Sequence, residues 1–154
     1  MKQPLAFRMR PKNTKEILGQ EHILGEGKFI TNMLKNNSLC SMILFGKPGT
    51  GKTSLALAIA SEMNLKHKVL NAVTCSKKDI EAAIFEASFE NSFLLIIDEV
   101  HRLNKNIQDI LLPHIENGTI ILIGATTANP YHSINNAILS RTHLVEIKPL
   151  NNDD

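Results

Sequence analysis

The apolar run Met42-Ile43-Leu44-Phe45 breaks off at Gly46-Lys47-Pro48-Gly49-Thr50-Gly51-Lys52-Thr53, and a helix-like stretch over residues 54–60 follows directly. Strand, glycine loop, helix is an order that few folds accommodate. The octapeptide satisfies G-x-x-x-x-G-K-[ST], a pattern whose fixed positions each have a physical task. Glycines reach backbone angles closed to other residues, so successive amides can converge on one anion. The following helix aims its positive end at the same point. Residues 46–53 are therefore expected to cradle the phosphates of ATP. Lys52 would meet the β- and γ-phosphate oxygens, and Thr53 would offer its hydroxyl to Mg2+. An ordinary glycine-rich turn with a chance lysine is the competing explanation, and the flanking strand and helix disfavour it.

The rest of the chain alternates in the same manner. Residues 28–35 carry Phe29, Ile30, Met33 and Leu34 at the spacing of one helical face. Residues 68–73 suit a short strand, and residues 76–89 an amphipathic helix with Ile80, Ala83, Ile84 and Ala87 on one side, Ser76 being a candidate cap. Phe93 to Ile97 is a continuous apolar run of the kind expected of a strand covered on both faces. Ile107, Ile110, Leu111 and Ile115 mark a further helix, with Pro113 as a kink and Gly118 as its stop. Residues 119–123 predict another buried strand, 134–139 a short helix and 144–147 a last strand. Strands alternating with helices imply parallel pairing through right-handed crossovers, hence an α/β fold of three layers with roughly five strands. The division expected is an arm and first helix over residues 1–37, a core over 38–150 and a tail over 151–154.

In such sheets ligands gather at the carboxyl ends of strands, where the chemically informative residues fall. Asp98 and Glu99 close the apolar run: Asp98 is placed to hold magnesium, Glu99 to act as general base on the attacking water. Thr126 and Thr127 end the next apolar run, and either could set a hydroxyl near the γ-phosphate; structural hydroxyls are as common at such ends. Arg141 is a candidate charge for a neighbouring subunit's γ-phosphate, against the simpler role of a surface arginine. His101 and His22 suit packed or turn positions better than metal ligation.

With 154 residues, 43% of them hydrophobic, the chain can close one core. A net charge of +2 neither requires nor excludes a polyanionic partner. Lys2, Arg8, Arg10, Lys12 and Lys15 gather early, as in many solvated chain ends. Cys40 and Cys75 stand far apart and form neither a zinc cluster nor a disulfide framework. No stretch has the length of a membrane span, and the expectation is a cytoplasmic protein.

Taken together, residues 46–53, 95–99, 124–127 and Ser140-Arg141 resemble the ATPase core of AAA+ proteins of the clamp-loader branch. Within it the likeness is to the bacterial replication-associated recombination protein A family. Arg10-Pro11-Lys12, Gly19-Gln20-Glu21-His22, Leu70-Asn71-Ala72-Val73, Asp98-Glu99-Val100-His101-Arg102 and Gly124-Ala125-Thr126-Thr127-Ala128-Asn129-Pro130 are similar to that family in order and spacing. The resemblance implies Thr127 as sensor of the γ-phosphate, with Thr126 as alternative, and Arg141 as an arginine finger acting across a subunit boundary. It implies Leu18, Gly19 and Gln20 near the adenine. It also implies a DNA-stimulated ATPase at stalled forks, homo-oligomeric, with DNA and single-stranded-DNA-binding protein as partners. Lys47 stands where the family usually has an uncharged residue. The family's helical lid and C-terminal oligomerisation region would follow Pro149-Leu150, so the sequence is expected to represent the ATPase core without the lid. Three alternatives stand beside this reading: a nucleotide-binding module without turnover, a subunit of another clamp-loader-like or branch-migration ATPase, and a helicase of the D-E-x-H type, for which a second motor domain finds no room.

Overall fold

The computed structural model describes residues 29–36 and 38–148. Five parallel strands form one sheet: β1 (Met42–Phe45), β2 (Lys66–Asn71), β3 (Phe93–Asp98), β4 (Ile121–Thr126) and β5 (His143–Glu146), in the spatial order β2-β3-β4-β1-β5. Around it lie α1 (Phe29–Lys35), α2 (Lys52–Glu62), α3 (Lys77–Ala87), α4 (Lys105–Glu116) and two single turns, α5 (Pro130–Ser133) and α6 (Asn136–Leu139). The expected three-layer α/β architecture is the one observed.

Alternation along the strands divides the interior into two cores, because successive side chains leave a strand on opposite faces. Met42, Leu44, Leu94, Ile96, Ile123 and Val145 pack with Leu55, Ala56 and Ile59 of α2 and with Ile30 and Met33 of α1. Ile43, Leu95, Ile97 and Leu122 face the other way, against Ile80 and Ala83 of α3 and Ile107 and Leu111 of α4. Burying β1, β3 and β4 on both sides explains their nearly unbroken apolar runs.

Three of the differences from the expected boundaries have a visible cause. β2 spans Lys66–Asn71 rather than 68–73, because Asn71 stops it: its side-chain oxygen accepts the Val73 N–H at 2.8 Å and its carbonyl accepts the Cys75 N–H at 2.8 Å. β4 runs on to Thr126 instead of ending at Ile123. Gly124 is no breaker; it is small because a Cβ there would come within 2.9 Å of Val100 Cγ1 and 3.0 Å of Ile43 Cδ1. The helix expected over 134–139 shrinks to the single turn α6, with Ile134 extended between it and α5, and Asn135 caps it by accepting the Ala137 N–H at 2.8 Å. By contrast, Ser76 caps α3 as anticipated: its hydroxyl accepts the Asp79 N–H while the Asp79 carboxylate accepts the Ser76 N–H. α4 continues through the exposed Pro113 to Glu116, and Gly118 turns the chain at φ 81°.

Ser41 fastens the three strands nearest the phosphate loop. Its hydroxyl accepts the Leu122 N–H of β4 at 2.9 Å, and its carbonyl accepts the His143 N–H of β5 at 3.0 Å. Ser41→Ala would leave the buried Leu122 N–H without that acceptor and should lower the unfolding free energy by about 1–3 kcal/mol. Urea titration checks this, with the exposed Ser38→Ala expected to stay within about 0.5 kcal/mol of the parent.

Candidate functional site

β4 lies between β1 and β3, and this order decides the site. Phe45 is level with Thr126 across β1 and β4, and Ile97 is level with Gly124 across β3 and β4. The Gly46 N–H continues the ladder by donating to the Thr126 carbonyl at 3.2 Å. Three carboxyl ends therefore share one rim, carrying the glycine loop, the two threonines and the two acids. A cleft of about 270 Å³ opens there, and Lys52, Thr53, Asp98, Glu99 and Thr127 all line it, with Pro48, Gly49, Gly51 and Ser54 completing its wall.

Within the loop the glycines have different reasons. Gly49 and Gly51 take left-handed φ values of 77° and 87°. Gly46 instead permits a close approach: a Cβ there would collide with the Ile147 carbonyl oxygen. Gly51 caps α2 without a side-chain acceptor, so the first-turn amides of α2 remain available at the cleft. An anion is the natural partner for such amides.

Lys52 is buried, 8% exposed, at the start of α2. Its Nζ donates to the Gly46 carbonyl at 3.0 Å, the Lys47 carbonyl at 2.8 Å and the Thr50 hydroxyl at 3.1 Å. Burial pulls this ammonium below its ordinary range, against the opposing attraction of Asp98 and Glu99. Thr50 in turn donates to the Lys47 carbonyl at 2.8 Å. Lys47 thus contributes its backbone to the loop, and its side chain is not part of the cleft wall.

Glu99 adopts a left-handed conformation, φ 55° and ψ 41°, uncommon for a residue with a long side chain. The turn around it holds the geometry: its N–H donates to Asp98 Oδ1 at 2.9 Å, and its carbonyl accepts the Arg102 N–H at 2.8 Å. The two threonines are distinguished here. Thr127 lines the cleft, whereas Thr126 is 1% exposed and its hydroxyl lies 2.6 Å from His101 Nδ1. His101 Nε2 is 3.5 Å from Glu99 Oε2. His101 occupies a turn, as expected, and makes these two contacts besides; the one with Thr126 joins residues 25 apart in sequence, which no local pattern reveals.

Arg141 does not line the cleft of its own chain. Its Nε lies 3.3 Å from Glu116 Oε1 at the end of α4, and its guanidinium donates to the Ser140 hydroxyl at 2.8 Å and the Ala137 carbonyl at 3.2 Å. Leu18, Gly19, Gln20 and His22, with the early basic residues, lie outside the described residues. Among the described residues no helix is long and apolar enough to cross a membrane, and no three His, Cys, Asp or Glu residues form a metal-holding group.

Residues 9–144 match the family described as the Holliday junction DNA helicase RuvB P-loop domain. The chain belongs to that family. It is 55% identical over 147 residues to the replication-associated recombination protein A of Bacillus subtilis, covering 96% of this chain and 35% of the relative. The corresponding protein of Escherichia coli K12 is 47% identical over 156 residues, with 99% and 35% covered. The chain thus spans about a third of the length of these relatives. The RuvB Holliday junction branch migration motor of Thermotoga maritima superposes with a TM-score of 0.72 at 31% identity, over 90% of this chain and 48% of that one. The likeness to replication-associated recombination protein A, expected from the sequence phrases, is therefore met, as is the expected three-layer P-loop α/β fold.

The buried Lys52 makes a titration signature. A lysine whose folded-state value is depressed costs stability while it is charged, and that cost falls away as pH rises through the folded-state value toward 10.5. Stability measured against Lys52→Met should therefore shift in favour of the parent as pH climbs through this alkaline window. Asp98→Asn removes one attraction and should depress the Lys52 value further. A parent-to-variant difference that stays flat with pH would contradict this.

Proposed function

We propose that this chain is the ATP-binding and ATP-hydrolysing core of an AAA+ motor protein acting in DNA replication and recombination at stalled forks. The observation that carries it is the convergence of Lys52, Thr53, Asp98, Glu99 and Thr127 on one cleft from three neighbouring strand ends. Residues 46–53 cradle the phosphates with backbone amides, and Lys52 exchanges its loop carbonyls for β- and γ-phosphate oxygens. Thr53 and Asp98 are hard oxygen donors in one cleft and suit Mg2+, which when bound supplies charge neutralisation at the phosphates. Glu99 takes the proton of the attacking water, and Thr127 contacts the γ-phosphate. Leu18, Gly19 and Gln20 are proposed beside the adenine on the family resemblance.

Arg141 is assigned to a neighbouring subunit's cleft, which makes the working form a homo-oligomer. Support comes from its place outside its own cleft and its half-exposed side chain. Turnover then depends on assembly, and a subunit alone binds nucleotide without hydrolysing it. DNA as partner is supported by the recombination and Holliday-junction names of the relatives. Single-stranded-DNA-binding protein and a cytoplasmic, nucleoid-associated setting follow from the same likeness.

Glu99→Gln should lower ATP turnover by about 100-fold or more while retaining nucleotide binding; Lys52→Ala should lose ATP affinity. Equal rates for the parent and Glu99→Gln would remove Glu99 as the base. Mixing equal amounts of Glu99→Gln and Arg141→Ala should restore about a quarter of the parental rate, the statistical share of interfaces pairing an intact base with an intact finger. No recovery on mixing, with turnover per subunit independent of concentration, would place the arginine in cis or out of the reaction.

A further inference from the structure

His101 is a side chain beside the cleft-lining Glu99 that the proposed chemistry leaves unused. It stands in the tight turn after Glu99, largely buried, with its two ring nitrogens directed at groups from different strands. Nδ1 meets the Thr126 hydroxyl at 2.6 Å, and Nε2 faces Glu99 Oε2 at 3.5 Å. The Thr126 oxygen also accepts the Ala128 N–H at 3.0 Å, which fixes the hydroxyl at the bend where the chain leaves β4. A carboxylate oxygen offers only lone pairs, so Nε2 must carry hydrogen to attract it. In the neutral ring Nδ1 is then an acceptor, and Thr126 is the donor.

We infer that His101 is a positioning residue which ties the Glu99 carboxylate to the end of β4, so that Thr127 and the base move as one unit. This rests on the assignment of Glu99 as base. The left-handed backbone at Glu99 gives the side chain an unusual departure direction, and the turn's hydrogen bonds fix only its backbone. The imidazole is the group that reaches the carboxylate itself. Because Thr126 immediately precedes Thr127, any shift of Thr127 on meeting a γ-phosphate is carried through the Thr126 hydroxyl and the ring to Glu99. The base is thereby aligned when the third phosphate is present and left less constrained when it is not.

The test uses the intact protein with His101→Ala, Thr126→Val, Thr126→Ser, the double variant His101→Ala/Thr126→Val, and Glu99→Gln as reference. His101→Ala and Thr126→Val should each lower kcat about 10- to 100-fold, the scale of a misplaced reacting group. KM and ATP affinity should stay within about twofold, since neither residue lines the cleft. The double variant should be no slower than His101→Ala, because both changes cut the same link. Thr126→Ser keeps the hydroxyl and should recover most of the rate.

Ring 15N spectra of the parent at about pH 8.5, above the ordinary histidine range, should show hydrogen on Nε2 and none on Nδ1. Thr126→Val should mix the tautomers, and it probes the link even if His101→Ala fails to fold. A parental ring with its hydrogen on Nδ1 overturns the proposal. So does an unchanged kcat in both single variants while Glu99→Gln abolishes turnover. If Glu99→Gln itself turns over normally, it is the base assignment that fails, and the tautomer still decides whether the bridge exists.

Discussion

Everything at the rim depends on β4 being inserted between β1 and β3. The loop of β1 and the acids of β3 are not neighbours in the sheet, so a strand's width separates them. That width is filled by a strand ending in threonines, and the resulting cleft has Lys52 on one wall, Asp98 and Glu99 on the other and Thr127 between. The parallel register makes this dependable, since it brings Phe45, Thr126 and the end of β3 to one level. The crossover from β1 to β2 carries α2 to one face, while α3 and α4 occupy the other, which seals both sides of the sheet beneath the rim.

A second constraint is electrostatic. Lys52 is taken largely out of water, yet it is not left without partners: two loop carbonyls and a hydroxyl receive it. These acceptors are neutral, so the ammonium keeps much of its attraction for a more strongly charged ligand. The acids across the cleft favour its charged form, against the burial that disfavours it. The site is thus held in opposition, with charge of each sign near enough to be felt and too well separated for Lys52 to be consumed in a direct ion pair.

The fold was legible wherever burial was complete. Residues 42–45 and 93–97 are apolar without interruption because both faces of those strands are covered, and that pattern survives in the sequence. β2 was harder, since it is an edge strand whose Lys66, His67 and Lys68 give no apolar run. The pattern ends β4 at residue 123, short of Thr126, because a glycine required by crowding, as Gly124 is, looks the same in a sequence as one required by a turn. In the site, Lys52, Thr53, Asp98 and Glu99 were legible from a local motif and a strand end. The residues alone did not separate Thr126 from Thr127, though the family resemblance favoured Thr127, and the contact of His101 with Thr126 depends on a meeting of β3 and β4 that no spacing encodes.

The left-handed backbone at Glu99 has a consequence for how this chain tolerates change. Such a conformation in a residue with a long side chain carries a local penalty of order 1–3 kcal/mol. Glycine or asparagine would adopt it with less strain, so the replacement that best suits the local backbone also removes the carboxylate. With Glu99 as the proposed base, stabilising substitutions chosen for backbone fit alone would converge on a protein without its base, and thermal robustness and turnover would pull in opposite directions at this position.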